Sequence, residues 1–337
     1  MKSALRLLGS ALIAVAAILA VGGGLAWWVY REVTGAGPLS QAHVVVIPPH
    51  SGLDEIARLL AKEGVVRWRL AFDIGAALSG KAAALEAGEY RFPAGISPLA
   101  AAAMIAAGET VKHKLTIPEG LTNAQIAALI RAAPALSGRL GAQPPEGSLM
   151  PDTYIYTYGE PRHALVARMQ QEMTRALAAA WARREPGLPL ANPEQLLILA
   201  SIIEKETARP AERARIAGVF INRLRLGMPL GSDPTVIYAL TLAGDKKPDR
   251  SLTHADLASP SPYNTYLEKG LPPTPIDNPG LASLRAAAWP AQTDELYFVA
   301  DGNGGHVFAK TLTEHDHNVA QYRKGAIAKP DPVSAGH

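Results

Sequence analysis

No cysteine occurs in the 337 residues. That absence excludes a disulfide framework, cysteine-ligated zinc and a lipoprotein anchor, and leaves the redox compartment open. A charge excess is also lacking: 33 basic residues face 30 acidic ones, for a net +3, and no dense Lys/Arg run occurs. Nucleic acid is therefore a poor partner. Disorder is excluded by the 48% hydrophobic content, and the length suffices for two domains and a real core. Only one long apolar run is present.

That run lies at the start. Leu7 to Tyr30 is 24 positions without a charge, and a helix needs about 20 apolar residues to cross a bilayer. Lys2 and Arg6 precede it, and Trp27, Trp28 and Tyr30 close it where an interfacial aromatic belt would sit. The charge bias puts the N-terminus in the cytoplasm and everything after about residue 31 outside it. A cleaved signal peptide is the rival reading, but its apolar core is usually about 7–15 residues. A retained single-pass anchor fits better, at an inner (cytoplasmic) membrane with the bulk of the chain periplasmic or extracytoplasmic.

After a Gly/Pro/Ser linker, "TGAGPLSQ", a repeat appears at an offset of 70 residues. "IPPHSGLDEIARLL" (Ile47 to Leu60) matches "IPEGLTNAQIAALI" (Ile117 to Ile130) without a gap. Each copy follows a β-rich run, turns at a proline and enters a helix with apolar residues at helical spacing. Between the copies the pattern predicts a helix near Arg67–Leu78, a strand Gly88–Phe92 and an Ala-rich helix Pro98–Ala107. "GAQPPEG" (Gly141–Gly147) marks a second boundary. Helices are expected over about 162–184, 193–208, 211–227, 234–242 and 280–288. The loop Ser259–Pro279 carries six prolines in 21 residues, and a loop of that length is uncommon unless functional or disordered. A hairpin follows, Glu295–Ala300 and His306–Lys310 around "DGNGG", then a last helix to about Lys324. The fold class is α+β: residues 1–31 cytoplasmic end and anchor, 32–41 linker, 42–140 a small α+β region, 141–325 a mainly helical domain with a β-hairpin, and 326–337 a flexible tail.

"LILASIIEKET" (Leu197–Thr207) reads as a buried helix that carries a carboxylate, Glu204. Asn192 suits its N-cap, Pro193 its first turn and Gln195 an imperfect capping box. At about 100° per residue, Leu197, Ala200 and Ala208 flank Glu204, while Glu206 points nearly the opposite way and Lys205 is not placed for a direct ion pair. An apolar surround disfavours the ionised carboxyl, as a general acid requires. The competing reading pairs Glu204 with an arginine of the next helix, Arg213 or Arg223.

Other constellations are weaker. Ser201 and Lys205 are four apart rather than the three of the acyl-enzyme Ser-x-x-Lys motif. His315 and His317 in "EHDH" lack the i,i+4 spacing of zinc-binding helices, so a solvated face is the simpler reading. Asp233 stands directly before a helix with Pro234 at its first position, as an N-cap or a cleft-edge group. Tyr263, Asn264, Thr265 and Tyr266 combine rings with short hydrogen-bonding groups, which suits a sugar site or a packed turn equally.

"LASIIEKET", "VFINRLRLGMPLGSDPTVIY", "SPYNTYLEKGLPPTPIDNPG" and "LYFVADGNGGHVFAKTLTEHDHNV" together resemble the YceG-like family over nearly the whole chain. The resemblance implies endolytic cleavage of peptidoglycan glycan strands at the β-1,4 bond between N-acetylmuramic acid and N-acetylglucosamine, leaving 1,6-anhydro-muramyl ends and terminating strand elongation. It implies a role in cell-wall biogenesis and division. It puts the catalytic acid, the first Glu of "IIEKE", on Glu204. Asp233, Tyr263, Asn264, Thr265 and Tyr266 fall on cleft positions, with Asn222, Asp152 and Tyr154 as cleft or structural supports. The 42–140 region resembles the family's LysM-like part. Peptidoglycan synthases are implied partners, and no metal or cofactor is called for. Two alternatives remain: a non-catalytic glycan-binding scaffold, and a hydrolytic muramidase, for which Asp233 is the candidate second carboxylate.

Overall fold

The computed structural model describes residues 2–80, 82–244 and 251–328. The architecture is mixed helix and strand, in two compact units. The first takes in the chain up to His113, with 135–137 and 155–160; the second takes in 114–134, 138–154 and the chain from Pro161 onward. The division does not follow the boundary read near 141. The second repeat copy, from Ile117 to Ile130, belongs to the second unit.

The first unit begins with α1 (Lys2–Thr34). Gly9–Thr34 of this helix is apolar, with a mean hydropathy of 2.2. At about 1.5 Å per residue it is long enough to cross a bilayer, and a secretory signal could share those properties. β1 (His43–Ile47), α2 (Leu53–Lys62), α3 (Arg69–Leu78), β2 (Gly88–Phe92) and α4 (Pro98–Ala106) follow, with a short 3₁₀ turn at Ala82–Ala84. β1 and β2 pair antiparallel, Val45 opposite Tyr90. The alternate residues Val45, Ile47, Tyr90 and Phe92 face inward onto Ile56, Leu60, Phe72 and Ile105, the period-two pattern of a half-buried sheet.

The second unit holds α5 (Asn123–Ala132), α6 (Arg162–Ala182), α7 (Pro193–Glu206), α8 (Arg213–Arg225), α9 (Asp233–Leu242), α10 (His254–Leu257) and α11 (Leu281–Ala288). β3 (His113–Thr116) pairs with β4 (Thr153–Tyr156), and β5 (Tyr297–Ala300) pairs antiparallel with β6 (His306–Ala309). α12 (Leu312–Ala328) comes last. It extends past the expected start of a flexible tail at 326, so 326–328 are helical, and 329–337 lie outside the described residues. β4 and α10 were not expected. Four residues make too little periodicity to register.

α7 is the hub of the second unit. Asn192 caps it by accepting from the Gln195 N–H at 2.9 Å. The Gln195 side chain reaches back to the Ala191 N–H at 2.7 Å rather than to Asn192 itself, so the capping box is indeed imperfect. Leu196 through Ile203 are all buried, as an all-round apolar helix demands. α6, α8, α9 and α11 pack against it, with Phe220, Leu284 and Ala287 in its core. α7 ends at Thr207, whose backbone turns extended, and the last turn delivers Glu204 and Glu206.

Candidate active site

Glu204 sits at the edge of this core with its side chain 6% exposed. Its surroundings are polar, contrary to the apolar pocket expected for it. Oε2 accepts the Gly280 N–H at 2.9 Å, and Oε1 accepts from the Arg213 guanidinium at 3.4 Å. Arg213 is one of the two arginines named as its competing partner. It is not a private partner, because the same guanidinium lies 3.7 Å from Glu119, which is 45% exposed. The physical reason is local: a 3₁₀ turn at Pro210–Glu212 starts α8 so that Arg213 faces back onto the end of α7.

The second repeat copy builds the rest of this centre. Gly120 N–H donates to Asn278 O and Asn278 N–H returns to Leu121 O, both at 3.0 Å. That bridge fastens the "IPEG" turn to the "DNPG" segment and aims the Gly280 amide at Glu204. Gly120 has φ +75°, and a Cβ there would lie 3.5 Å from Glu204 Cγ, 3.5 Å from Lys205 Cδ and 3.6 Å from Asp277 Oδ2. A Cβ on Gly280 would fall 1.7 Å from Glu119 Oε1. At Gly120 a Cβ would make ordinary contacts, and it is the left-handed backbone that favours glycine; at Gly280 a Cβ would collide with the Glu119 side chain. Lys205 donates to Gly120 O at 3.2 Å.

Asp277 is fully buried, and neither carboxyl oxygen has a hydrogen-bond partner among the described residues. Burial pushes its carboxyl well above the ordinary range; Lys205 opposes this, and the charges of Glu204 and Glu146 add to it. Burial also raises Glu146, against hydrogen bonds from the Asn123 N–H at 2.7 Å and the Asn278 amide at 3.3 Å. Glu119 is raised by desolvation and by Glu204, with Arg213 opposing.

On the other side of α7, Glu206 accepts from the Ser232 hydroxyl. Its carboxyl is pushed up to about 7, chiefly by burial; the Ser232 bond and Arg223 oppose this, and Asp233 adds to it. Burial thus raises the carboxyls of Glu206 and Asp277. Around Glu206 the structure gathers Asp233, Thr265 and Tyr266. Tyr266 OH donates to Asp233 at 2.6 Å, and Ser232 N–H donates to the Thr265 hydroxyl at 3.0 Å. Ser232, not Asp233, takes the N-cap position of α9, and Asp233 is its first residue. Tyr263 bonds Thr274 at 2.8 Å and meets Tyr238 edge-on at 5.1 Å; Tyr238 OH in turn reaches Glu146 at 3.5 Å.

The other residues singled out in the sequence hold backbone. Asn264, fully buried, donates to Leu257 O and Ser259 O at 2.9 Å. Thr265 is also buried. Asn222 donates to Thr293 O at 2.7 Å and ties α8 to the strand entry. Tyr154 OH donates to Met150 O at 2.6 Å, and Asp152 accepts its neighbour Thr153 N–H at 2.6 Å. Ser201 donates to Ile198 O and accepts from Ile276 N–H, so its hydroxyl is already committed to structure. His315, half-buried between exposed neighbours, stacks on Tyr297 at 5.2 Å, while the exposed His317 meets Gln321 at 2.8 Å. Among the described residues no group of three or more His, Asp or Glu side chains is arranged to hold a metal ion.

Glu119, Gly120, Asp277 and Gly280 were missed as site residues. The signal was in the repeat: "IPEG" in the second copy replaces "IPPH" in the first.

A glutamate ending a buried helix is thus held by a guanidinium and a backbone amide among further carboxyls, an arrangement able to exchange a proton on an α+β scaffold. The YceG-like family matches residues 45–321. The chain is 34% identical to the endolytic murein transglycosylase of Bacillus subtilis over 82% of its own length and 83% of that protein. It is 30% identical to the endolytic murein transglycosylase of Streptococcus pneumoniae, covering 91% of this chain and 63% of that one. A crystal structure of a yceG-like protein from Listeria monocytogenes matches with a TM-score of 0.53 at 30% identity, over 82% of this chain and 98% of that chain. The chain belongs to the YceG-like family.

Proposed function

We propose that this chain is a lytic transglycosylase of peptidoglycan, anchored by α1 with its N-terminus cytoplasmic, and that Glu204 is its catalytic acid and base. The observation that carries the proposal is Glu204 itself, the family's catalytic position, at the end of the hub helix with the Gly280 amide and Arg213 on its two oxygens. Glu204 delivers a proton to the glycosidic oxygen between N-acetylmuramic acid and N-acetylglucosamine, and the C1–O bond breaks with oxocarbenium character. Gly280 N–H and Arg213 then hold the carboxylate so formed. That carboxylate takes the proton of the muramyl 6-hydroxyl as its oxygen closes onto C1. The product is a 1,6-anhydro end, no water is consumed, and Glu204 regains its proton. Asp277, raised by burial, is a carboxyl of this cluster that burial favours in its protonated form.

Asp233 and Tyr266, joined by their hydrogen bond, line the adjoining glycan path, with Tyr263 further along. Asn264, Thr265, Asn222 and Tyr154 hold the walls that carry them, and Asp152 caps a strand entry. The first unit acts as the LysM-like part that retains glycan near the membrane. Glycan that fails to slow hydrogen exchange in α2 and α4 removes that role. Synthases of the same glycan are the expected partners, and crosslinking in native membranes that recovers none of them rejects that association.

The test is digestion of purified glycan strands by the full-length protein in detergent, read by mass spectrometry. Anhydro products, lighter by one water than hydrolysis products, are expected. Glu204→Gln is expected to lose activity by about 10³-fold or more, within the range for removing a central acid–base group. A Glu204→Gln protein that fully restores a deletion strain would instead establish the scaffold reading. Hydrolysis is a second reading with an observation behind it: Glu119 shares Arg213 with Glu204 and is solvent-exposed. Reducing-end sugars in the same digest would establish it in place of the lytic route.

A further inference from the structure

α3 has apolar residues on both faces. Phe72 and Ala76 are wholly buried in the core of the first unit. Leu70, Ile74 and Leu78, at i, i+4 and i+8, form a stripe on the opposite face. Leu70 is 65% exposed and Leu78 67%, and Trp68, just before the helix, is 60% exposed. α3 is apolar on two opposite faces, with Arg69 and Asp73 between them; the core covers one face, and on the other Leu70 and Leu78 stand open while Ile74 is half-buried. Contiguous apolar surface of this kind marks an interaction site.

The Leu70 and Ile74 end of the stripe faces a cavity of about 280 Å³ that it shares with the end of α1. Trp28, Val29 and Val33 line it from α1, with Glu32 at the same end, and Trp68, Leu70 and Ile74 line it from the α3 segment. Trp28 lies in the last turn of the charge-free run, and Arg31 follows immediately. Trp68 and Leu70 are therefore at the depth where the apolar run of α1 ends. Charged groups ring the level just beyond. Arg31 stacks over Trp27 at 5.4 Å, Arg67 lies 3.6 Å from Glu32, and Arg69 lies 3.2 Å from Asp54. Tryptophan beside apolar side chains with arginines a few ångströms further out is the chemistry of a bilayer interface.

We propose that the outer face of α3, with Trp68, is a second membrane contact: it inserts into the outer-leaflet interface beside α1, and a phospholipid acyl chain occupies the cavity between them. The occupant is a lipid because the cavity is continuous with the apolar run of α1. The inference rests on α1 being retained as an anchor. The contact fixes the first unit against the bilayer, where a lone helix would leave it free to swing.

The cysteine-free chain allows the test to be made on the full-length protein in phospholipid vesicles. Leu70→Cys and Leu78→Cys proteins carry an environment-sensitive dye, and Leu226→Cys, an exposed site in the second unit (63%), serves as the reference. The dye at 70 and 78 is expected to shift to the blue and to lose most of its emission to nitroxide-bearing lipid, at every protein-to-lipid ratio, while aqueous iodide quenches only the dye at 226. Equal iodide quenching at all three sites overturns the proposal. So does a dye at 70 shielded from iodide but untouched by the lipid nitroxide, which would mean a protein occupant. Flotation of the vesicles separates the two layers of the inference. Protein that does not float refutes the anchor, and protein that floats with a solvent-exposed dye refutes the α3 contact alone.

Discussion

The two copies of the strand–proline–helix unit correspond residue by residue, yet only one meets Glu204. His50 and Gly120 occupy the same register position, and both adopt left-handed backbone, φ 65° and 75°. Gly52 and Thr122 both cap the helix that follows. Pro49 in the first copy stands where Glu119 stands in the second. The shared backbone shows that the turn geometry belongs to the motif. The side chains differ where the second copy meets Glu204: Gly120 leaves the turn in contact range of that carboxyl, and Glu119 shares Arg213 with it. The unit is a scaffold whose chemistry is set by what its turn rests against.

The comparison breaks most severely if the first copy's histidine is moved into the second. Gly120→His keeps a left-handed residue that histidine tolerates; its Cβ would already touch Glu204, Lys205 and Asp277, so the ring beyond it is expected to crowd them. Glycan cleavage is expected to fall by about 10²-fold or more, because misplacing a reacting group by about 1 Å has that effect. Thermal unfolding is expected to show a loss of roughly 2–3 kcal/mol from overpacking. Wild-type activity in this variant would show that the turn does not constrain the acid.

A change in pH sharpens the contrast, because Gly120 borders Asp277. A carboxyl raised by burial binds its proton more tightly in the folded state than in the unfolded state. Its contribution is complete below the unfolded value of about 4 and is lost as pH rises toward the folded one. Asp277→Asn removes that dependence. Its melting temperature is expected to exceed wild type at pH 7.5 and to match it near pH 4, and hydrogen exchange should place the gain in α5 rather than α2.

A smaller effect separates the caps. Thr122 forms a full capping box with Gln125, whereas Gly52 offers no side chain. Thr122→Ala should cost about 1 kcal/mol in denaturant melts, and Gly52→Thr should return only a few tenths of that amount. His50→Gly, which relieves left-handed backbone at a larger entropy cost in the unfolded chain, should change stability by less than about 1 kcal/mol in the same assay.

Local periodicity made much of this legible. The repeat, the capped hub helix, the hairpin and the strand Gly88–Phe92 follow from spacing within a dozen residues. What surrounds Glu204 does not, because its partners close across the chain. Gly280 is 76 positions away and the Lys205–Gly120 contact spans 85. An apolar helix pattern implied an apolar pocket, but α7 is buried by α6, α8 and α11 only as far as its last turn, where loops supply polar groups instead. Asn264 shows the converse. A polar residue in a recognisable motif looked available for substrate, and its amide is consumed by two carbonyls of its own loop.

The chain passes between the two compact units at 113/114, 134/135, 137/138, 154/155 and 160/161. Neither unit is a cassette. No single crossover in a gene fusion separates them, and a recombinant that exchanged one would have to splice five junctions at once. Inheritance of the two units is thereby linked, so that variation in one is selected in the presence of the other.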